Sequence, residues 1–171
     1  MKQPFDFDIS MSSYITDTLR FYGKKGREYS TPANHNLFNF NPKAEPIVEK
    51  AKFHSVVAKL LYLGKRGRPE ILLPVQFLCT RVQAPTEVDV KKLERVLGYL
   101  EMTKHWTSAF DDSTFMKVET YVDASFAIHS DGKSQSACMV MLGNTLVHEA
   151  CGKQKIVTKS LTETELVALS D

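Results

Sequence analysis

Two acidic side chains in the last third of the sequence have surroundings in which a carboxylate could do chemistry. Asp123 lies in the alternating segment YVDASF, and Glu165 lies in SLTETELVALSD, which has the periodicity of a helix. At about 100° per residue, Glu165 falls within the apolar arc of that helix, which is made by Leu161, Leu166, Ala168 and Leu169. Since an isolated carboxylate on a packed surface is costly, a glutamate there is usually paired, bound to a metal or catalytic.

The chemistry expected of this pair is the binding of a hard divalent cation through oxygen ligands. We predict that Asp123, on the middle strand of a small sheet, and Glu165, on a helix packed against that sheet, meet at one sheet face. Glu163 has a local role instead, because Ser160 and Glu163 form the S-x-x-E pattern of a capping box. The pattern leaves open the alternative that Glu165 reaches solvent at the helix edge and Asp123 ends its strand.

The elements that must position these acids follow residue 115. The segment FMKVETYVDASF alternates, with Val118 and Val122 on one side and Glu119 and Asp123 on the other. HSDGKS predicts a turn, ACMVML a wholly apolar strand, and GN a hairpin turn before the strand TLVHEACG. We therefore predict three antiparallel strands followed by one helix over residues 115–171.

Before this region the sequence has the periodicity of helices. We expect a first helix over residues 12–22, stopped by Gly23, and then a long connection rich in Gly, Pro and Asn. A second helix is predicted around the apolar stripe from 53 to 61, a third from Pro69, and a fourth after the segment APTEVD. Pro74 is awkward in the third, since a proline inside a helix costs about 3 kcal/mol. Three helices joined by short turns predict a small bundle.

The composition is that of an ordinary globular chain. The 171 residues are 43% hydrophobic and 25% charged, and the formal net charge of +2 gives no overall bias toward nucleic acid. Cys79, Cys138 and Cys151 lack C-x-x-C spacing and are expected to be buried thiols in a reducing compartment. No apolar run is long enough for a membrane span, and no signal peptide is evident. We therefore expect an α+β protein inside the cell, in the cytoplasm or the nucleus.

Taken together, the quoted segments resemble a known family. YVDASF, DGKSQSACMVMLG and KQKIVTKSLTETELVALSD are similar to the ribonuclease H region of copia-type LTR retrotransposon polyproteins. The family patterns are Y-x-D-A-x-[WF], K-S-x-[ST]-G and K-Q-x-x-V-[AS]-x-S-S-T-E-A-E-[YL]-x-A-L. The upstream run from FHSVVAKLLYLGKRGRPE to RVLGYLEMTK resembles the reverse transcriptase segment that precedes this region, and the resemblance covers nearly the whole chain in the same order.

The resemblance implies a domain organisation. Residues 1–46 would hold a residual strand and helix and the long connection, and residues 47–105 a helical bundle resembling the thumb and connection of reverse transcriptase. Residues 106–171 would form the N-terminal part of a ribonuclease H-like domain, with three antiparallel strands and one helix. Asp123 matches the first metal-binding aspartate of that family's site, and Glu165 matches the glutamate of its A-E-[YL] motif.

The resemblance also implies a metal and a reaction. In the intact family, two Mg²⁺ ions about 4 Å apart support hydrolysis of the RNA strand of an RNA–DNA hybrid. That chemistry needs three or four clustered carboxylates, and the next family aspartate and the Y-V-D-D acids of the polymerase have no counterpart in this sequence. We therefore expect a fragment, truncated at both ends, that binds Mg²⁺ weakly or not at all and is inactive alone.

The implied partner in the intact parent is an RNA–DNA hybrid or a template–primer. Basic residues that could contact phosphates are Lys65, Arg66, Arg68, Lys91, Lys92 and Arg95. Glutamates interleave with them, so a solvated helix face is the alternative for these residues. Two alternatives also stand for the whole chain: a domesticated nucleic-acid-binding module without catalysis, and an interaction module that self-associates through an unpaired sheet edge. The departures GRPEI, SLTETE and KSQSA from the family patterns are interpreted as drift.

Overall fold

A computed structural model describes residues 7–23, 27–39, 41, 43–110 and 117–170 of the chain. The protein is α+β, and its residues cluster into two units. The first unit, Ser10–Thr107, is helical, and the second combines the described residues within Met1–Ile9 and Ser108–Asp171 and contains most of the β-structure. None of the described helices is both long and apolar enough to cross a membrane.

The described helices of the first unit are α1 (Ser12–Tyr22), α2 (Lys50–Gly67), α3 (Leu72–Cys79) and α4 (Glu87–Thr103), with a 3-10 turn at Pro69–Ile71. The first of these has the predicted bounds. It ends at Gly23, whose φ of 76° lies in the left-handed region and whose N–H donates to the Leu19 carbonyl oxygen at 3.0 Å. The prediction that α1 ends at Gly23 is therefore confirmed.

The predicted third helix is divided at its start. Pro69–Ile71 forms the 3-10 turn, and α3 begins only at Leu72, which brings Pro74 into the first turn of α3. The N–H groups of a first turn have no intrahelical partner, so a proline there removes no hydrogen bond. The position at which α3 begins therefore explains how Pro74 is tolerated.

The fourth helix begins at Glu87, three residues earlier than the apolar pattern predicts. The N–H and the hydroxyl of Thr86 both donate to Oδ2 of Asp89, at 2.9 Å each. Asp89 is fully buried and lies 3.4 Å from the Nε atom of Arg81. This capping arrangement satisfies polar groups that the helix start would otherwise leave unpaired, and so it sets where α4 begins.

A hydrophobic core holds the first unit together and draws on all four helices and on the segment 27–39. Fully buried members include Ile15, Leu60, Val75, Leu93 and Leu100. Burial of each such side chain contributes about 1.5–3 kcal/mol.

The segment 27–39 lies against α4 at a glycine. A Cβ atom at Gly98 would stand 2.0 Å from the carbonyl oxygen of Arg27 and 2.9 Å from Cδ2 of Tyr29. Because the nearest atom belongs to the backbone, no side chain can be accommodated without moving the segment. The long connection predicted from the sequence is thus packed on the helix surface at this point.

The second unit contains two sheets. In the smaller one, β1 (Phe7–Ser10) pairs with β2 (Thr107–Phe110), and the rings of Phe7 and Phe110 stack with centroids 4.7 Å apart. The strand β2 is not predicted from the sequence, because four residues are too few to show a period of two.

The larger sheet is antiparallel, with the order β3 (Val118–Ser125), β4 (Gln135–Leu142) and β5 (Thr145–Lys153). The three predicted strands are confirmed, and Gly143, with a φ of 60°, lies in the predicted hairpin turn. The prediction that Asp123 lies on the middle strand is wrong, because β4 occupies the middle and β3 is an outer strand. The strands pair in chain order through two hairpins, so the first of the three strands lies at one side of the sheet.

The final helix, α5 (Leu161–Ser170), packs against β3 and β4. Its buried residues are Thr164 and Ala168, whereas Leu161, Leu166 and Leu169 are 57%, 62% and 68% exposed. The prediction that these leucines face the sheet is therefore wrong. Small side chains one turn apart let the helix approach closely, and polar contacts described below replace the apolar arc.

Gly98→Ala should destabilise the first unit by about 1–3 kcal/mol, because the added methyl group overlaps the backbone of the segment 27–39. Urea unfolding followed by far-UV circular dichroism measures this change. Gly64→Ala is the matched control within a helix, since its nearest neighbour is the end of the Leu72 side chain, which can move. Equal stability of the two variants would contradict the proposed close contact.

Candidate functional site

Asp123 is an exposed residue near the end of β3. Its Oδ1 atom accepts a hydrogen bond from the Ala124 N–H at 2.9 Å, and its register partner on β4 is Ala137. Because successive side chains of a strand point to opposite faces, Asp123 lies on the face opposite to Val122 and Ala124.

Glu165 is half-buried on α5. It lies at the flank of the packed side of the helix, next to the buried Thr164, and not at the centre of an apolar arc. Among the described residues, its carboxylate makes no hydrogen bond or ion pair. A half-exposed carboxylate keeps part of its hydration, so its position needs no metal or partner to be tolerated.

The helix packs on the sheet face that carries Ser136. Nε2 of Gln154 donates to Oγ of Ser136 and to a backbone carbonyl oxygen of α5, at 3.0 Å each. Ser136 is the register partner of Ala124, which is buried. Asp123 therefore points away from the face on which α5 and Glu165 lie, and the register does not bring the two acids to one face as the sequence predicts.

These positions decide whether the residues fit a metal centre. The backbone of β3 separates the two sheet faces, so an ion shared by Asp123 and Glu165 would have to lie beside the outer edge of that strand. Within the part of the chain that the structure describes, no group of three or more His, Cys, Asp or Glu side chains is placed to hold a metal ion. The described residues do not fit the carboxylate cluster that two-metal hydrolysis requires.

The local role predicted for Glu163 is confirmed with one difference. Oγ of Ser160 accepts a hydrogen bond from the Glu163 N–H at 3.2 Å, as in a capping box. The Glu163 carboxylate accepts in turn from the N–H of Lys159 at 2.6 Å, one residue before the cap. Both acceptors satisfy N–H groups at the start of α5 that have no helical partner.

A buried network of hydroxyl and carboxamide groups joins α5 to the sheet, and sequence reasoning missed it. Ser134 is fully buried, and its Oγ atom accepts from the Ala127 N–H at 3.0 Å. The same atom lies 3.3 Å from the hydroxyls of Thr158 and Thr164, which are 2.5 Å from each other. The side chain of Gln154 completes the network through the two hydrogen bonds described above.

Thr164 occupies the alanine position of the family's S-S-T-E-A-E pattern. Its hydroxyl also donates to the Ser160 carbonyl oxygen at 3.0 Å, which leaves its oxygen free to accept from a neighbouring hydroxyl. A departure that is interpreted as drift in the sequence is therefore a group built into a buried hydrogen-bond network. The available signal was the spacing of two small residues, Thr164 and Ala168, four positions apart on one helix face.

A second buried contact lies at the same end of the sheet and centres on Gln135. Nε2 of His129 lies 2.9 Å from Oε1 of Gln135, and Nε2 of Gln135 donates to Sγ of Cys151 at 3.1 Å. Burial lowers the pKa of His129 and raises the pKa of the Cys151 thiol, so both groups are neutral near pH 7. The three cysteines are free and half-buried, so the expectation of unpaired thiols is confirmed and that of full burial is not.

Arg68, predicted as a phosphate contact, is 3% exposed. Its guanidinium donates to the carbonyl oxygen and the hydroxyl of Thr103, at 3.1 and 2.5 Å, and to Oε1 of Glu70 at 2.6 Å. It also lies 5.7 Å from the ring centroids of Tyr99 and Trp106. Arg68 links the ends of α2 and α4 within the first unit and is not available to nucleic acid.

The other predicted basic residues fall into two groups. Lys92 and Arg95 hold the segment 27–39: Nζ of Lys92 donates to the Asn39 carbonyl oxygen, and Arg95 donates to the carbonyl oxygen and the hydroxyl of Thr31 at 3.1 and 2.7 Å. Neither contact involves a carboxylate. The second group consists of the exposed residues Lys65, Arg66 and Lys91.

Comparison with known proteins gives relatives over most of the chain. The chain is 28% identical over 98% of its length to the uncharacterized mitochondrial protein AtMg00810 of Arabidopsis thaliana, of which it covers 70%. It is 29% identical over 95% of its length to the retrovirus-related Pol polyprotein from transposon RE1 of the same plant, of which it spans 11%. It is also 29% identical over 72% of its length to the secreted RxLR effector protein 161 of Plasmopara viticola, of which it covers 88%.

No protein-family profile and no solved structure matches the chain. The similarity to a transposon Pol polyprotein over 95% of the chain confirms the resemblance to copia-type retrotransposon sequences.

Thr164→Val should destabilise the second unit by about 1–2 kcal/mol, because an isosteric side chain removes the hydroxyl that contacts the buried hydroxyls of Ser134 and Thr158. Urea unfolding and hydrogen exchange of the α5 amides measure the effect. Thr162→Val is the matched control on the same helix, since Thr162 is exposed. If the two variants were equally stable, the network would contribute nothing to the docking of α5.

Proposed function

We propose that this retrotransposon-related chain corresponds to the part of a copia-type Pol polyprotein that runs from the reverse transcriptase thumb and connection into ribonuclease H. The similarity to the transposon RE1 Pol polyprotein over 95% of the chain carries this proposal. The order of the elements supports it, because a helical unit precedes three antiparallel strands and one helix, the order that this assignment requires. The chain spans 11% of that polyprotein, so copying RNA into DNA is proposed for the intact parent alone.

In the intact parent, Asp123 and Glu165 would be two of the metal-binding acids. Bound Mg²⁺ would supply an activated water and charge stabilisation for hydrolysis of the RNA strand of an RNA–DNA hybrid. In this chain, Asp123 bonds to its own strand, and Glu165 lies at the flank of a helix on the other side of the sheet. We therefore propose that the chain binds Mg²⁺ weakly or not at all and does not cleave hybrids by itself.

The cellular location is part of the same proposal. The cysteines are free and half-buried. Free thiols are usual in a reducing compartment, whereas secreted proteins commonly form disulfides. We place the chain in the cytoplasm or the nucleus.

The purified chain should show no Mg²⁺-dependent cleavage of a labelled RNA–DNA hybrid above the level of its Asp123→Asn and Glu165→Gln variants. The physical reason is that the two acids are not assembled with a third one among the described residues. Gel electrophoresis of the labelled hybrid measures this, with an active ribonuclease H as positive control. Cleavage that requires Mg²⁺ and is abolished by Asp123→Asn would overturn the proposal that the chain is inactive alone.

A second proposal is that the chain acts as a nucleic-acid-binding module without catalysis. The observation that favours it is that Lys92, Arg95 and Lys91 on α4 have no carboxylate partner among the described residues. Uncompensated cations on a helix surface favour phosphate contacts that weaken with salt.

A third proposal is self-association through an outer strand of the larger sheet. The strands β3 and β5 are the outer strands among the described residues, and each exposes apolar side chains, including Val118 and Val147, which are 66% and 51% exposed. An outer strand with unpaired backbone groups is a template for pairing with another chain.

This proposal predicts that the molar mass measured by light scattering rises with protein concentration. Lysine on an outer strand disfavours edge pairing, so the double variant Tyr121→Lys/Val147→Lys should lower the measured mass to that of the monomer. The control is Leu166→Lys, which adds a charge at an exposed position outside the strands. A monomeric mass for the unmodified chain at every concentration would contradict self-association.

A further inference from the structure

A groove in the first unit lies between the segment 27–39 and the N-terminal half of α4. It has a volume of about 400 Å³ and is lined by cationic and carboxamide side chains, including Asn34, Asn36, Asn39, Lys91, Lys92 and Arg95. We call it the α4 groove. The volume is several times that of one phosphate group, so the groove has room for a ligand of more than one such group.

The helix periodicity and the segment together produce this lining. Lys91 and Arg95 are four residues apart and therefore lie on one side of α4, with Lys92 beside them. On the opposite wall, Oδ1 of Asn34 accepts from the Asn36 N–H at 3.1 Å, and Nδ2 of Asn39 donates to Oδ1 of Asn36 at 3.2 Å. These bonds use the carboxamide oxygens, and they leave the NH₂ groups of Asn34 and Asn36 as donors without a partner among the described residues.

The charges of the groove are not balanced by acids. Elsewhere in the same unit, basic side chains pair with carboxylates, as Arg81 does with Asp89 and Lys104 with Glu101. In the α4 groove, Lys92 and Arg95 donate to backbone carbonyl oxygens and a hydroxyl, which carry no net charge. The described lining residues include no aspartate or glutamate.

The lack of an acid among the described lining residues is costly for Lys92, because its side chain is partly buried. Burial lowers the pKa of Lys92, and the nearby Asp89 offsets this only in part, while Arg81 lowers the pKa further. An anion in the groove would stabilise the ammonium form of Lys92. The arrangement therefore has a deficit of negative charge that a ligand can supply.

We propose that the α4 groove binds the phosphate groups of a nucleic-acid strand. Phosphate oxygens accept hydrogen bonds best from charged donors, and NH₂ groups of asparagine are common additional donors to them. The exposed Lys91, Asn34 and Asn36 place the groove at the surface, where a chain of linked phosphates can run along it. The inference rests on the nucleic-acid-binding function proposed above and gives it a site.

Lys92 and Arg95 have a second role that the experiment must avoid disturbing, because both hold the segment 27–39 to α4. Lys91→Gln removes a charge from a residue that is exposed and makes no such contact. Asn36→Asp adds a negative charge while keeping the oxygen that accepts from Asn39. Both substitutions therefore change the electrostatics of the groove and leave its anchors in place.

The test is fluorescence anisotropy of a labelled single-stranded RNA and a single-stranded DNA oligonucleotide at two salt concentrations, without divalent cations. Wild-type protein should bind both strands and bind less tightly at the higher salt concentration. Lys91→Gln should reduce the slope of log K against log salt by about 0.7, as expected for one lost phosphate contact on a single strand. Asn36→Asp should weaken binding about tenfold, which corresponds to about 1.4 kcal/mol.

The control variant is Lys50→Gln, which removes one exposed charge from α2 outside the groove and should leave binding unchanged. No binding at low salt, or equal loss in the control and in the groove variants, would overturn the proposal. Binding of inorganic phosphate to the groove without binding of either oligonucleotide would also overturn it, since the site would then be one for small anions. Hybrid cleavage by the chain would refute its proposed inactivity and leave this binding result intact.

Discussion

The need to pair buried hydroxyl groups by hydrogen bonds determines how α5 packs against the sheet of the second unit. Ser134, Thr158 and Thr164 are all buried, and an unpaired hydroxyl in such a position costs about 1–3 kcal/mol. Their mutual hydrogen bonds remove that cost only when α5 is turned so that Thr164 faces the sheet. The rotation of the helix about its axis is therefore set by polar contacts, and its leucines lie outside as a result.

That rotation has a direct effect on the candidate acids. With Thr164 at the centre of the packed side, Glu165 lies at its flank, half-buried and without a protein partner among the described residues. The alternation of β3 turns Asp123 to the opposite face, because its neighbour Ala124 is the residue that lies under α5. The two acids that the resemblance assigns to a ribonuclease H site are present in the sequence, and the described structure does not assemble them into a metal centre.

Periodicity predicted the elements of the fold better than it predicted their surroundings. The helix ending at Gly23 and the three antiparallel strands follow from local signals, namely a left-handed stop, alternation and turn residues, and these signals act over a few residues. Alternation identifies strands but not their places in the sheet, so it did not show that β3, which carries Asp123, is an outer strand. The short strand β2 gave no signal of its own.

The errors at the level of side chains have one physical origin. Apolar residues were expected inside and charged residues outside, yet α5 packs through a threonine and an alanine, and Arg68 is buried against Tyr99 and Trp106. Arg68 is accommodated because its guanidinium donates to the carboxylate of Glu70, two residues along the chain, and to the hydroxyl and carbonyl of Thr103, which lies near it only in the folded chain. Such compensation depends on tertiary structure, so composition and spacing could not reveal it.

The orientation of α5 also limits how this part of the molecule can evolve. Positions 161, 166 and 169 face outward, so polar residues can replace the leucines there with little effect on folding. Positions 164 and 168 admit only small side chains, and the family pattern indeed has alanine at both. Packing therefore constrains the two inconspicuous small residues more tightly than the exposed leucines.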